Sequence, residues 1–404
     1  MWKKMAKRSP LKNKNLLLGV TGSVAAYKAV ELVRRLKDEE ADVRVIMTSA
    51  SLNFITPLSL ELASGQKPLT GLWEGEPLAH VNLAAAADLF IVAPATANTL
   101  GKMALGIADD ILTACFLAYK GKTLVAPAMN PAMYAHPAFR RNLDFLKNGL
   151  AVIEMAPEEG ALACGAAGVG RMAAVEKIVE AARDALTGKD FQGRRVLVTA
   201  GPTREAIDPV RFISNRSSGR MGFALAKAAA ARGADVTLVS GPAAISPPAG
   251  IGKLIRVETA AQMEKAVLAE INNAQILIMA AAPADFIPEE TFGKKLAKSD
   301  KLSLKLKATH DILLEVSRRE KKPFTVGFAA ETGPDTGRAR QKLEKKGLDM
   351  IIFNDVTRPG AGFDCGTNAV TIIARGGDIR EIPLMDKQDV AHAVLDSISH
   401  LLKT

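Results

Sequence analysis

The sequence predicts an α/β protein built from two three-layer, doubly wound domains. Short apolar runs alternate with helical stretches through the first half of the 404 residues, and that alternation implies a parallel sheet covered on both faces. The pattern restarts near residue 190. Each half also opens on a strand that ends in a glycine-containing turn, and in such sheets ligands gather at the carboxyl ends of the strands.

In chain order, NLLLGV reads as a strand and SVAAYKAVELVRRLKDEE as a helix with apolar positions three and four apart. ADVRVIMT, ADLFIVAPAT and GKTLVAPAM read as further strands, and EKIVEAARDAL as a closing helix. TGKDFQG reads as a linker. The second half offers the strand RRVLVTAGPTRE, the helix GRMGFALAKAAAARG, and the strands ADVTLVSG, AQILIMAAAPADF, TVGFAAET and DMIIFND. The expected boundaries are a disordered basic tail over 1–14, a first domain over 15–188 and a second over 189–404.

Composition excludes several classes. No run approaches the roughly 18 apolar residues of a membrane span, and no signal-peptide core follows the basic start, so a cytoplasmic protein is expected. The net charge of +10 suits anionic ligands. Aromatics are 5% of the chain, with no basic stretch interleaved with stacking rings, which argues against nucleic acid. Cys115, Cys164 and Cys365 lie far apart without CxxC pairing, so neither a disulfide framework nor a zinc site is expected.

Candidate binding residues cluster at strand ends. Thr21, Gly22 and Ser23 lie between a strand and a helix start, where exposed amides favour an anion, although a capped helix without ligand has the same sequence. Thr48 and Ser49 follow the next strand, so two neighbouring hydroxyl clusters point to a phosphorylated cofactor. Thr96, Asn98 and Asn130 follow Pro-containing turns. His80, read alone, fits a packing or capping histidine as well as a catalytic one. In the second half, Ser217, Ser218 and Gly219 open a helix as a candidate phosphate site. No GxGxxG is present, which weakens a dinucleotide reading. Asp285 is placed at a strand end, where a carboxylate could hold a ribose hydroxyl or a phosphate-bound Mg2+. Lys342 and Lys346 share a helix face at i, i+4 and could neutralise a triphosphate.

The motifs TGSVAAYKA, PLAHVNLA, APATANT, APAMN and ACGAAGVGRM, in this order over about residues 15 to 180, resemble the flavin-dependent cysteine decarboxylases. Within them they are most similar to the phosphopantothenoylcysteine decarboxylase half of a bifunctional coenzyme A biosynthesis family. The resemblance implies a flavodoxin-like or Rossmann-like flavoprotein domain binding FMN through Thr21, Gly22, Ser23, Thr48, Ser49, Thr96 and Asn98. It implies catalytic roles for His80, Asn130 and Cys164. A cysteine carboxylate has no electron sink. Oxidation at the carbon bearing sulfur gives a thioaldehyde, whose C=S lies β to the carboxylate, and loss of CO2 then leaves a delocalised enethiolate. Flavin takes and returns the hydride, His80 acts at the thiol or flavin face, and Cys164 supplies a proton. The glycine-rich stretch EEGALACGAAGVGRM, 158–172, reads as a lid. One departure is the delay of the acidic residue after GRM to Glu176.

From about residue 191, AGPTREAIDPVRFISNRSSGRMG, VGFAAET and the ND near 354 resemble the phosphopantothenate-cysteine ligase half of the same family. This implies a Rossmann-like ligase domain. It would use CTP and phosphate-bound Mg2+ to activate 4'-phosphopantothenate as an acyl-cytidylate, to which the L-cysteine amine adds. Asn215 corresponds to the residue that engages the acyl-cytidylate and Lys295 to a catalytic lysine. Asp285, Lys295, Asp311, Phe328, Lys342 and Lys346 correspond to CTP-binding positions. The family's NPDI reads THDI here, with His310 in place of proline, and a late loop reads GFDCGTN. The family implies a homo-oligomer of trimeric decarboxylase and dimeric ligase units. The alternatives are an NAD-dependent dehydrogenase, or a ligase joined to a non-catalytic flavin module.

Overall fold

The computed structural model describes residues 9–74, 76–161, 167–248, 250–297, 302–363 and 365–403. The chain separates into two compact units between Gly188 and Lys189.

The first unit is a five-stranded parallel sheet in the order β2-β1-β3-β4-β5. Its strands are β1 (Asn15–Val20), β2 (Asp42–Met47), β3 (Leu89–Ala95), β4 (Thr123–Pro127) and β5 (Val152–Glu154). That order is the flavodoxin-like one, with its switch point between β1 and β3. Side chains alternate along β1 to opposite faces. Leu16 and Leu18 join α1 (Lys28–Asp38), α2 (Pro57–Ser64) and the last helix of the unit in one core. Leu17 joins the other core, against α4 (Ala97–Leu105), α5 (Ile111–Ala118) and α7 (Pro137–Gly149). Between these lie α3 (Ala79–Ala86) and the short α6 (Pro131–Ala135). A two-stranded antiparallel hairpin, β6 (Glu158–Ala161) and β7 (Ala167–Arg171), precedes α8 (Val175–Leu186).

The start of this unit differs from the expected tail. From residue 9 the chain is ordered: Leu11 is fully buried in the core around β1, and the Asn13 amide donates to the Glu40 carbonyl. One apolar side chain inside an otherwise basic stretch is enough to anchor it.

The second unit holds an eight-stranded sheet, β12-β11-β8-β13-β16-β17-β18-β19. The first six, β8 (Arg195–Ala200), β11 (Asp235–Ser240), β12 (Lys253–Arg256), β13 (Ile276–Met279), β16 (Phe324–Glu331) and β17 (Met350–Asp355), are parallel. They follow the Rossmann order 3-2-1-4-5-6, with its switch point between β8 and β13. β18 (Thr367–Ala374) and β19 (Ile379–Asp386) add an antiparallel edge. One face packs on α9 (Arg220–Ala231) and α13 (Lys387–Leu401), the other on α10 (Ala260–Glu270), α11 (Ile312–Ser317) and α12 (Gly337–Lys345). Two small antiparallel pairs stand outside the sheet: β9 (Arg204–Ala206) with β10 (Phe212–Ser214), and β14 (Phe286–Pro288) with β15 (Leu306–Ala308).

The strand expected over AQILIMAAAPADF ends at Met279. Beyond it the Ala281 and Ala284 amides donate to the Thr199 and Thr203 hydroxyls, and the Ala282 amide to the Gly201 carbonyl. Pro283 has no amide hydrogen to give a ladder. Asp285 therefore sits six residues past the strand, on the way to β14.

Candidate functional site

In the first unit the strand-end turns surround a cavity of about 400 Å³ at the switch point. Gly22, Ser23, Thr48, Ser49, Thr96 and Asn98 line it, each from a turn at the carboxyl end of β1, β2 or β3. Gly22 is needed there because a Cβ would lie 2.6 Å from the Ala50 Cβ and 2.9 Å from its carbonyl carbon. Ser23 caps the following turn, accepting from the Ala25 amide. Thr96 caps α4, accepting from the Thr99 amide.

Thr21 lies beneath this cavity instead of lining it. It is fully buried, donates to the Pro94 carbonyl at 2.7 Å and accepts from the Thr96 amide at 3.1 Å. It ties the first turn to the third.

The Thr48 hydroxyl is buried and has no partner, although it lines the cavity. A buried polar atom left unpaired costs about 1–3 kcal/mol, so this position fits a ligand that supplies the missing partner. The small side chains, the strand-end amides and this orphan hydroxyl together suit a flavin with its phosphate.

Lys102 and Asp110 also line the cavity and were not singled out by sequence reasoning. Lys102 bonds Asp109 at 2.8 Å and lies 3.9 Å from Asp110. Asp110 forms a capping box with Thr113, and that S/T/D-x-x-T pattern is the sequence signal that could have marked it.

Asn130 stands between the lining residues Met129 and Met133 and caps α6, accepting from the Ala132 amide at 2.8 Å. The hairpin β6–β7 lies against the same turn. The Met129 amide donates to the Gly170 carbonyl, and a Cβ on Gly170 would sit 2.2 Å from the Met129 oxygen. Cys164 lies outside the described residues. His80 is half-buried on α3, which packs against α5, and is not among the lining residues. Cys115 is excluded as a reactive thiol, because burial, aided by Asp110, pushes it up to about 12.

In the second unit a cavity of about 450 Å³ occupies the switch point between β8 and β13. Asn215, Ser217, Ser218 and Gly219 line it from the loop before α9, Asp285 from the stretch after β13 and Phe328 from β16. Asn215 is held there by donating to the Pro283 carbonyl at 2.8 Å. Ser218 donates to the Phe363 carbonyl. Gly222, one turn into α9, lets the helix approach β8: a Cβ would lie 2.5 Å from the Ala200 Cβ and 2.7 Å from the Thr199 oxygen. This is the close helix–strand packing that the third glycine of a dinucleotide fingerprint provides. A long loop separates it here from the first turn.

Four expected nucleotide residues lie outside this lining. Lys342 bonds Glu331 at 2.6 Å, and Lys346 bonds Asp311 at 2.9 Å. Asp311 also caps α11 through the Leu314 amide. The two lysines thus meet carboxylates, and only Glu331 of these partners lines the cavity. Lys295 is exposed in the segment that follows β14. Sequence reasoning missed Lys387, which lines the cavity and donates to the Gly362, Phe363 and Cys365 carbonyls. Asn354, quoted above only as part of the ND motif and given no role, is buried and lines the same cavity, and its side-chain oxygen has no partner. Among the described residues no group of three or more His, Cys, Asp or Glu could hold a metal ion. No helix there is long and apolar enough to cross a membrane.

The chain matches the family described as Flavoprotein over residues 4–187, and the DNA/pantothenate metabolism flavoprotein C-terminal domain over 191–402. A relative from Bacillus subtilis (strain 168), the coenzyme A biosynthesis bifunctional protein CoaBC, is 46% identical over 97% of this chain and 98% of its own length. The crystal structure of the C-terminal domain of a CoaBC protein is 38% identical, covering 54% of this chain and 99% of that one, with TM-score 0.47. That of the FMN-dependent cysteine decarboxylase SpaF is 35% identical, covering 44% and 97%, with TM-score 0.39.

Proposed function

Because the chain belongs to the coenzyme A biosynthesis bifunctional protein family, we infer that it carries both of that family's activities, a flavin-dependent decarboxylase followed by a ligase. The observation that supports this most is the pair of separate cavities. Each lies at the switch point of its own sheet, and each is walled by the motif loops of its own half. The relatives do not favour the NAD-dependent dehydrogenase reading.

In the ligase half, the 4'-phosphopantothenate carboxylate attacks the α-phosphorus of CTP and pyrophosphate leaves. The cysteine amine then attacks the acyl carbon and CMP leaves, giving 4'-phosphopantothenoylcysteine. Asn215 and the amides opening α9 orient the acyl-cytidylate, and Phe328 and Asp285 bound the nucleotide. Lys295 neutralises charge as pyrophosphate departs, with Mg2+ carried on the phosphates. Lys342, Lys346 and Asp311 reach the nucleotide only by exchanging their present partners. Phe286, Phe292 and Leu306 are exposed around β14 and β15, an apolar surface that a second copy would cover in a dimeric ligase unit.

In the decarboxylase half, Gly22, Ser23, Thr48, Ser49, Thr96 and Asn98 hold FMN, and Thr21 fixes the first turn. The flavin supplies reversible hydride transfer at the carbon bearing sulfur. Asn130 orients the substrate carboxylate or amide, His80 acts at the thiol, and Cys164 protonates the carbon of the enethiolate left by CO2 loss, giving a thioaldehyde that the hydride returned by bound flavin would reduce to 4'-phosphopantetheine. His80 stands outside the cavity lining of its own chain, which suits a trimeric unit whose site is completed between copies.

The test is purification followed by spectroscopy and assay. A yellow protein that releases pyrophosphate from CTP only with phosphopantothenate is expected. Use of ATP in place of CTP, or a colourless protein, would overturn the corresponding half of the reading.

A further inference from the structure

The carboxylate of Asp208 is completely buried and does not line the ligase cavity described above. Its Oδ1 accepts from the Val210 and Arg211 amides, both at 2.8 Å. Its Oδ2 accepts from the Leu296 amide at 3.2 Å, across 88 residues of sequence. Arg211 completes the joint: its guanidinium lies 3.6 Å from the Asp208 carboxylate and donates to the Leu296 carbonyl at 3.3 Å. Two further bonds run alongside, from the Phe292 amide to the Ile207 carbonyl and from the Thr291 hydroxyl to the Ala206 carbonyl.

The segment 291–296, which carries Lys295, is thereby fastened to the turn between β9 and β10. The same turn leads through β10 directly into Asn215, which lines the ligase cavity. One carboxylate therefore fixes the spacing between the two stretches that carry Asn215 and Lys295.

We propose that Asp208 is a positioning residue of the ligase, holding the Lys295 backbone in register with the strand that presents Asn215. The proposal rests on the assignment of Lys295 given above. Burying a carboxylate is costly unless its oxygens are fully hydrogen-bonded, and here three amides and a guanidinium meet that requirement. An asparagine would turn an amide group toward one of these donors and break one tie of the joint. Burial works against the ionised form, but the three backbone amides and Arg211 outweigh it and hold the carboxyl below the usual carboxylate range, so the joint is charged at neutral pH.

The experiment compares pyrophosphate release by the full chain and by Asp208→Asn, Lys295→Gln and the double variant. Misplacement of a catalytic group by about 1 Å costs on the order of 100-fold. The expected result for Asp208→Asn is a 10- to 100-fold lower kcat with KM for CTP and phosphopantothenate within about threefold. The double variant should be no slower than Lys295→Gln alone. Arg211→Gln, which removes the guanidinium that bonds the Leu296 carbonyl and faces Asp208, should lower kcat in the same way if Asp208→Asn does not fold. Full additivity in the double variant, an effect confined to KM, or an unchanged rate would overturn the proposal. An unchanged rate in Lys295→Gln alone would separately sink the Lys295 assignment on which it rests.

Discussion

Thr48 and Cys115 show how burial sorts polar side chains of similar size. The Thr48 hydroxyl is buried without a partner beside a cavity, whereas Cys115 is sealed in an apolar core with its thiol pushed up to about 12. A single hydrogen bond contributes about 0.5–1.5 kcal/mol net. Thr48→Val is therefore expected to weaken FMN binding by up to about tenfold, read from quenching of flavin fluorescence on titration; unchanged affinity would remove Thr48 from the flavin site. The hydroxyl clusters were legible in the sequence because polar turns at parallel strand ends face the ligand edge of the sheet. Lys342 and Lys346 were legible only as sharing a helix face. Their spacing does not say what that face meets, and it meets Glu331 and Asp311. Lys387 escaped notice, and Asn354 entered only within a motif and without a role, because a single polar residue at a strand or helix end looks the same whether it faces solvent or a cavity.

Among the elements, α9 and its approach to β8 depend on Gly222. Its Cβ would overlap Ala200 and the Thr199 carbonyl, so Gly222→Ala is expected to cost about 1–3 kcal/mol by overpacking. Thermal unfolding followed with pyrophosphate release checks it, and the ligase should fail before decarboxylation does. The end of α9 is tied by Arg232, whose side chain is 7% exposed and bonds Asp190, Asp396 and the His392 carbonyl while lying over the Phe191 ring. Hydrogen bonds to charged groups contribute about 1.5–3 kcal/mol, and because the Asp190 and Asp396 side chains are 29% and 41% exposed, a loss of about that size is expected for Arg232→Ala in denaturant unfolding of the ligase unit. Burial works against the ionised form of Asp190, but Arg232 outweighs it and holds the carboxyl below its ordinary value. A depressed carboxyl pKa stabilises fully above the unfolded value, about 3.9, and the gain is lost as pH falls through the folded value. In Arg232→Ala the loss of stability on acidification should be shallower than in the native chain, because Asp190 is no longer held below its unfolded value; an unchanged acid limb would contradict the pairing. Strand starts were legible from apolar runs. The end of β13 was not, because the alanines after Met279 continue an apolar pattern while the Thr199 and Thr203 hydroxyls capture their amides. The order at 9–14 was hidden for a related reason, since composition does not register one well-placed leucine.

The whole molecule places a 2-1-3-4-5 sheet and a 3-2-1-4-5-6 sheet in one chain. Two doubly wound domains were legible because the strand–helix alternation stops and restarts. The antiparallel pair β18–β19 was not, because nothing local distinguishes an edge hairpin from a further parallel crossover. Fold alone does not give chemistry; the family relationship and the contents of the two cavities do. If Cys164 is the general acid proposed above, the two reactions of the chain separate there, since a general acid contributes about 100- to 10,000-fold to the second reaction and nothing to the first. The decisive measurement is therefore to supply 4'-phosphopantothenate, CTP and L-cysteine, and to follow pyrophosphate and 4'-phosphopantetheine together. The native chain should release both in equal amounts. Cys164→Ser should release pyrophosphate at the native rate while 4'-phosphopantetheine falls at least 100-fold and the enethiol left by loss of CO2 accumulates. Undiminished 4'-phosphopantetheine from that variant, or no pyrophosphate from the native chain, would contradict the account.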